Sequence, residues 1–333
     1  DIMGENVRFS DGRRDTPPEH EFSCRFGNIR SIRVIGDKRI ELGVKGGNVI
    51  ELERGRSLAI GNWIAVEPRN GKIENVVWEH ISEIVFSAAP DSINEPKDHP
   101  IAGIVETPYG MYKGLIQWDL DENSQESLLD GRTESSWVSV AFKNIGSIKS
   151  LGNSSLVTLH SGRELCMWGE NDVNATNRGI AINMPSIGQV IVGWHDFKLF
   201  RAIPLDQLNL PVYDDFRAPE RLFGRVETRD GRSLEGVLVY DLDEAMDFEL
   251  LDGQNGNISY RIPFEYVREI EPKNYKYTWG KLSGGTELVL GGMYDVMATN
   301  DGILIFWTGG EVVYVRWRDV KRIELWTKGK RND

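Results

Sequence analysis

The chain has 333 residues, 40% hydrophobic and 27% charged, a balance that suits compact folded domains rather than a disordered polymer. Fifty-one acidic against 39 basic residues give a net charge of -12, which opposes contact with phosphate backbones, and no apolar run reaches the roughly 18 residues of a membrane-crossing helix. Nucleic acid and a membrane span are therefore set aside, and the length implies two or three cores rather than one.

The sequence opens on Asp1 rather than Met, from which we expect export to a periplasmic or extracellular space. Cys24 and Cys166 are too few for a disulfide framework or a cysteine metal cluster, and two separate thiols are expected rather than one bridge.

Residues 1–25 are polar, carry Pro17-Pro18 and lack periodicity, so they read as an arm or partial module. From Phe26 short apolar runs alternate with Gly, Asn and Asp, the pattern of strands and tight turns, and this half-repeat module extends over 26–88. Residues 89–100, with three prolines, read as a linker, as do residues 204–221. Between and after them lie two long units, 101–203 and 222–327, divided at 101–150 and 151–203 and at 222–273 and 274–327. No window keeps helical apolar spacing for three turns, so long helices are not expected.

The units correspond residue by residue. Asp241 to Gly253 matches Asp119 to Gly131 at 8 of 13 positions. Phe142 and Phe264, and Ile148 and Ile270, stand 122 apart; Asp172 and Asp295, Gly179 and Gly302, and Trp194 and Trp317 stand 123 apart. Phe26 precedes Phe142, and Trp78 precedes Trp194, by 116, so the chain holds about two and a half related units. Each half has about five strands in about 50 residues, the size of a small barrel. The fold class expected is all-β, with tandem small SH3/Sm-like barrels arranged as duplicated pairs.

Within 224–252 stand Asp230-Gly231-Arg232, Gly236-Val237-Leu238, Tyr240-Asp241, Met246-Asp247 and Leu250-Leu251-Asp252 in order. This stretch resembles the first motif of Sm-like proteins, and Ile262 to Ile270 resembles their closing strand. Asp247 occupies the place of the family's base-contacting Asn, and the Arg-Gly strand of the second motif is not visible. The resemblance therefore implies barrel topology rather than RNA binding.

Asp119, Asp121 and Glu122, with Asp241, Asp243 and Glu244, are the candidate metal ligands. Alternation along an extended segment would place both Asp of each loop on one face, with Leu120 or Leu242 opposite, and paired carboxylates suit a hard cation such as Ca²⁺. The competing reading is a solvated turn capped by Asp. Trp78, Trp194 and Trp317 recur in register and are expected in cores, whereas Trp118, Trp168 and Trp307 are candidates for surface stacking on a sugar or a protein. The sequence 177–179 and its counterpart 300–302 read as tight hairpin turns. No phosphate loop, nucleophile elbow or zinc motif is present, and the five His do not recur in register. The expectation is a non-catalytic binding or scaffolding protein for a protein or peptide partner; a Ca-assisted glycan binder is the alternative, and a hydrolase comes third.

Overall fold

A computed structural model describes residues 22, 24–36, 39–53, 63–66, 68, 72–89, 98–307 and 310–326. Most of the expected 1–25 arm and of the 89–100 linker lies outside the described residues. The fold is all-β and antiparallel, and its only helices among the described residues are single 3-10 turns.

The strands of the first segment are β1 (Ile29–Gly36), β2 (Arg39–Val44), β3 (Val49–Glu53), β4 (Trp63–Val66), β5 (Glu74–Val77) and β6 (Glu83–Val85). Then come β7 (Ile101–Thr107), β8 (Gly110–Gln117), β9 (Leu128–Arg132), β10 (Trp137–Ala141), β11 (Ile145–Ser150), β12 (Ser154–Leu159), β13 (Glu164–Trp168), β14 (Ile180–Met184), β15 (Gly188–Val192) and β16 (Leu199–Ala202). The last ten are β17 (Phe223–Thr228), β18 (Ser233–Tyr240), β19 (Leu250–Asn255), β20 (Ile258–Pro263), β21 (Val267–Pro272), β22 (Tyr277–Leu282), β23 (Glu287–Gly291), β24 (Ile303–Trp307), β25 (Val312–Val315) and β26 (Val320–Leu325). Alternation accounts for most of them: in β17, residues 224, 226 and 228 are buried while 223, 225 and 227 are half-buried.

Pairing follows a path that local pattern does not dictate. From one end, β10 pairs with β9, which meets β13 at the single pair Trp168 and Arg132; β12, β11, β16, β7, β8, β14 and β15 follow. The order β20, β19, β23, β22, β21, β26, β17, β18, β24, β25 repeats this strand for strand. The β15–β20 ladder, with Val190 opposite Tyr260, joins the two. Among the described residues twenty strands are thus linked by nineteen ladders in one open path, with no closed barrel. The stretches 101–150 and 151–203 interleave: β8 pairs with β14 of the other half, and β9 with β13.

Glycine makes the interleaving sterically feasible. A Cβ on Gly114 of β8 would lie 2.3 Å from the Asn183 carbonyl oxygen on β14, and one on Gly236 of β18 would lie 2.2 Å from the Phe306 oxygen on β24. Only the missing side chain allows so close an approach.

Six of the described 3-10 turns open on Phe or Trp: Phe26, Trp78, Phe142, Trp194, Phe264 and Trp317. The last four are buried. Trp118, fully buried, meets Trp194 edge-on with ring centres 6.2 Å apart and Phe197 at 5.2 Å; Tyr240 meets Phe264 at 5.1 Å and Trp317 at 5.6 Å. Burying a ring of this size contributes roughly 4–6 kcal/mol before entropy is counted. Trp78 is only half-buried, and among the described residues of the first segment no strand takes the place of β8.

That segment forms a four-stranded sheet, β3-β2-β1-β6, and a separate β4–β5 hairpin. Its small core of Ile29, Leu42 and Val44 is completed by Phe248. Lys45 donates to the Phe216 carbonyl at 2.9 Å and sits 3.6 Å from the Tyr213 ring centre; the Tyr213 hydroxyl donates to the Ile29 carbonyl at 2.9 Å. The 204–221 stretch is therefore a packed connection. Cys24 and Cys166 are free thiols, and burial pushes that of Cys24 up to about 12.

Candidate functional site

The acidic stretches are not extended. Asp119, Leu120, Asp241 and Leu242 have φ of 49°, 65°, 49° and 66°, the left-handed region, and are the only such non-glycine residues described. This overturns the expectation of two Asp on one face of a strand. Each stretch is a tight turn closed by paired backbone bonds: Trp118 N–H to the Glu122 carbonyl at 2.7 Å with the reverse bond at 2.9 Å, and Tyr240 with Glu244 at 2.8 and 3.0 Å. Asp tolerates this conformation; Leu does so at a cost of roughly 1–2 kcal/mol, offset by the closing bonds.

In the first turn Asp119 is fully buried and fully engaged. Its carboxylate accepts from the Asn171 side chain, the Arg178 backbone N–H and the Arg178 Nε–H at 3.0 Å. The Arg178 guanidinium also bridges to Asp121. The side-chain oxygens of Asp119, Asp121 and Glu122 lie within 4.8 Å of one another, a spacing that could hold a metal ion. Arg178 supplies positive charge to two of the three. Burial, then hydrogen bonding to Asp121, pushes Glu122 up to about 8. Burial raises Asp172 to about 6 against the bond it accepts from the Asp130 N–H at 2.8 Å.

The second turn has the same backbone and the opposite neighbour. Asp241 accepts from the backbone N–H of Asp301, which stands where Arg178 stands in the first. Without a guanidinium, burial raises Asp241 to about 8 and Asp295 to about 7, and burial with a hydrogen bond to Asp243 drives Glu244 far above the carboxylate range. Glu244 is 7% exposed, and its Oε2 accepts no hydrogen bond. Asp243, Glu244, Asp252 and Asp295 line a cleft of about 220 Å³ with Arg261. Among the described residues Asp241, Asp243 and Glu244 are not drawn into a spacing like that of 119, 121 and 122.

The remaining candidates separate. Trp118 belongs to the core, its indole N–H donating to the Asp172 carbonyl at 2.9 Å, and so cannot stack on a ligand. Trp168 is half-buried on β13 and Trp307 is 39% exposed on β24, on strands that are not counterparts. Gly179 and Gly302 do take positive φ, of 132° and 100°, but they precede β14 and β24 instead of joining a hairpin, and the Asn177 and Asn300 side chains accept their N–H groups at 3.0 and 2.8 Å. Sequence reading missed Asp130, Asp172, Arg178 and their counterparts Asp252, Asp295 and Asp301 as neighbours of the turns. The in-register recurrence of the first, second, fourth and fifth of these was the signal available.

The ends of the twenty-strand path form a second kind of surface. Among the described strands β10 pairs with β9 alone and β25 with β24 alone. Trp137 on β10 is 52% exposed, and Val312 and Tyr314 on β25 are 44% and 40% exposed. No protein-family model, curated protein or solved structure matches this chain.

Proposed function

We propose that this chain is a non-catalytic binding scaffold, built of duplicated pairs of interleaved SH3/Sm-like modules, that takes a protein or peptide partner by strand addition at the ends of its sheet. The observation that carries the reading is the open path of ladders. Two strands, β10 and β25, each present one outer backbone edge beside exposed apolar side chains. Such edges are templates for an added strand: main-chain bonds supply affinity, and alternate side chains supply choice of partner. The modular reading is supported by the identical ladder order of 101–202 and 223–325, and by an aromatic 3-10 turn before the last strand of each half.

Selection of extended peptides against the dilute chain, followed by hydrogen exchange of the complexes, tests it. The expected result is protection of amides in β10 or β25, lost when a lysine is placed on the edge by Ser139→Lys or Val312→Lys. Peptides that bind without protecting either strand, or no binding peptide at all, would sink the reading.

A second reading has one specific observation behind it, a divalent cation at Asp119, Asp121 and Glu122. It requires the ion to displace Arg178 from the carboxylates that Arg178 holds.

A further inference from the structure

The β15–β20 ladder inside the chain is a junction between an end of one ten-strand series and the opposite end of the next. Its register is Gln189 to Arg261, Val190 to Tyr260, Ile191 to Ser259 and Val192 to Ile258. The counterpart of β15 is β25, since Ile180 pairs with Val192 as Ile303 pairs with Val315. The counterpart of β20 is β10, since Gly253 pairs with Tyr260 as Gly131 pairs with Val138. The two ends of the path are thus the two halves of a junction that the chain already makes once. We infer that the partner at these ends is a second copy of this chain, β25 of one molecule pairing antiparallel with β10 of the next. The inference rests on the strand-addition reading above and names its partner.

The register carries over directly: Val312 faces Ser139, Val313 faces Val138 and Tyr314 faces Trp137. Side chains suit these positions. Val190 and Val192 are fully buried at the internal junction, and Val313 and Val315 take their places. Across the internal junction the Tyr112 and Tyr260 hydroxyls lie 2.8 Å apart. Their counterparts are Leu234 and Val138, a polar pair exchanged for an apolar one on both sides at once. The cross-strand meeting of Tyr314 and Trp137 would cover two of the exposed aromatic rings.

A rival occupant exists within the chain. Strand β5 is the counterpart of β15 in the first segment and, among the described residues, pairs with β4 alone. Trp78 aligns with Trp194, which sets Val76 at Val192, Asn75 at Ile191 and Glu74 at Val190. A carboxylate would then enter the place where Val190 is fully buried. The sequence of β25 fits that place and the sequence of β5 does not.

One position limits the ladder. A Cβ on Gly188 would lie 2.3 Å from the Arg261 carbonyl oxygen, and its counterpart is Glu311. The intermolecular ladder therefore extends no further than Val312, the counterpart of the Gln189 at which the internal ladder starts, and Glu311 crowds that end. Because the two joined surfaces differ, the contact is heterologous, and it propagates into a ring or an open chain of molecules.

Sedimentation velocity over rising concentration tests this with the whole chain, circular dichroism checking the fold of each variant. The wild type should sediment faster as concentration rises. Ser139→Lys and Val312→Lys should each remain monomeric. Their equimolar mixture should form a dimer and stop there, because the unaltered β25 of the first fits the unaltered β10 of the second. Glu311→Gly should associate at lower concentration than wild type. A wild type monomeric at every concentration would overturn the inference, as would Val312→Lys dimerising alone or a mixture that stays monomeric. In the first case the peptide selection still decides whether the edges serve a different protein.

Discussion

Arg178 and Asp301 stand at the same place in the two ten-strand series, each giving its backbone N–H to the carboxylate of the turn opposite, Asp119 or Asp241, yet they carry opposite charges. The backbone of the turn is conserved between them, with φ of 49° at both Asp. The electrostatics are not. One turn sets a guanidinium against two of its carboxylates, and in the other burial without a guanidinium raises Asp241 to about 8.

Installing the missing cation should therefore stabilise the second turn. Asp301→Arg places a guanidinium beside Asp241 and Asp243, and near pH 8 a gain of about 1 kcal/mol, or about 2–4 °C in melting temperature, is expected. The gain should shrink toward pH 5, where Asp241 carries its proton. A melting temperature that falls at both pH values would show that Asp301 serves some other contact.

The same groups set the pH dependence of stability. Asp241 and Glu122 are raised to about 8 and Asp295 to about 7, while the unfolded chain ionises these groups near 4. A folded-state pKa above the unfolded one means that the folded protein binds more protons between those values. Stability is then highest at the acid side and falls as pH rises from about 4 to about 8. Thermal unfolding should show a drop on the order of 5 °C between about pH 5 and about pH 8.5. Asp241→Asn should flatten that slope; an unchanged slope would place the proton uptake elsewhere.

Calcium should distinguish a metal site from an ion-paired turn. With Arg178 in place, added Ca²⁺ should leave the melting temperature unchanged. In Arg178→Ala, where Asp119, Asp121 and Glu122 lose that competitor, Ca²⁺ should raise it, and Asp121→Ala in the same background should remove the rise. A rise in the wild type itself would mean that the ion displaces the guanidinium.

The crossing of β8 to β14 and of β18 to β24 depends on a missing side chain. Gly236→Ala and Gly114→Ala should each cost on the order of 3 kcal/mol, since the added methyl meets a carbonyl oxygen that the ladder holds in place. Gly280→Ala on β22, whose Cβ would find its nearest neighbour at 3.7 Å, should change stability by less than about 1 kcal/mol. Urea midpoints of the three variants decide it.

Strand content, many of the turns between strands and the in-register recurrence of the acidic stretches were legible in the sequence, although 177–179 and 300–302 join no hairpin. Each depends on residues near one another in the chain: alternation at period two, Gly and Asn at turns, the Asp119-Leu120-Asp121-Glu122 run and its counterpart. The left-handed backbone of those runs was not legible, since Leu120 and Leu242 disfavour it and only the closing bonds to Trp118 and Tyr240 impose it. Nor was the burial of Trp118, which follows from Trp194 and Phe197 arriving from more than seventy residues away. Partner choice among strands was least accessible. Every strand offers the same N–H and C=O groups, so whether β9 meets β8 or β13 is decided by close approaches such as Gly114 to Asn183, and which edges remain open at β10 and β25 is decided by the whole path.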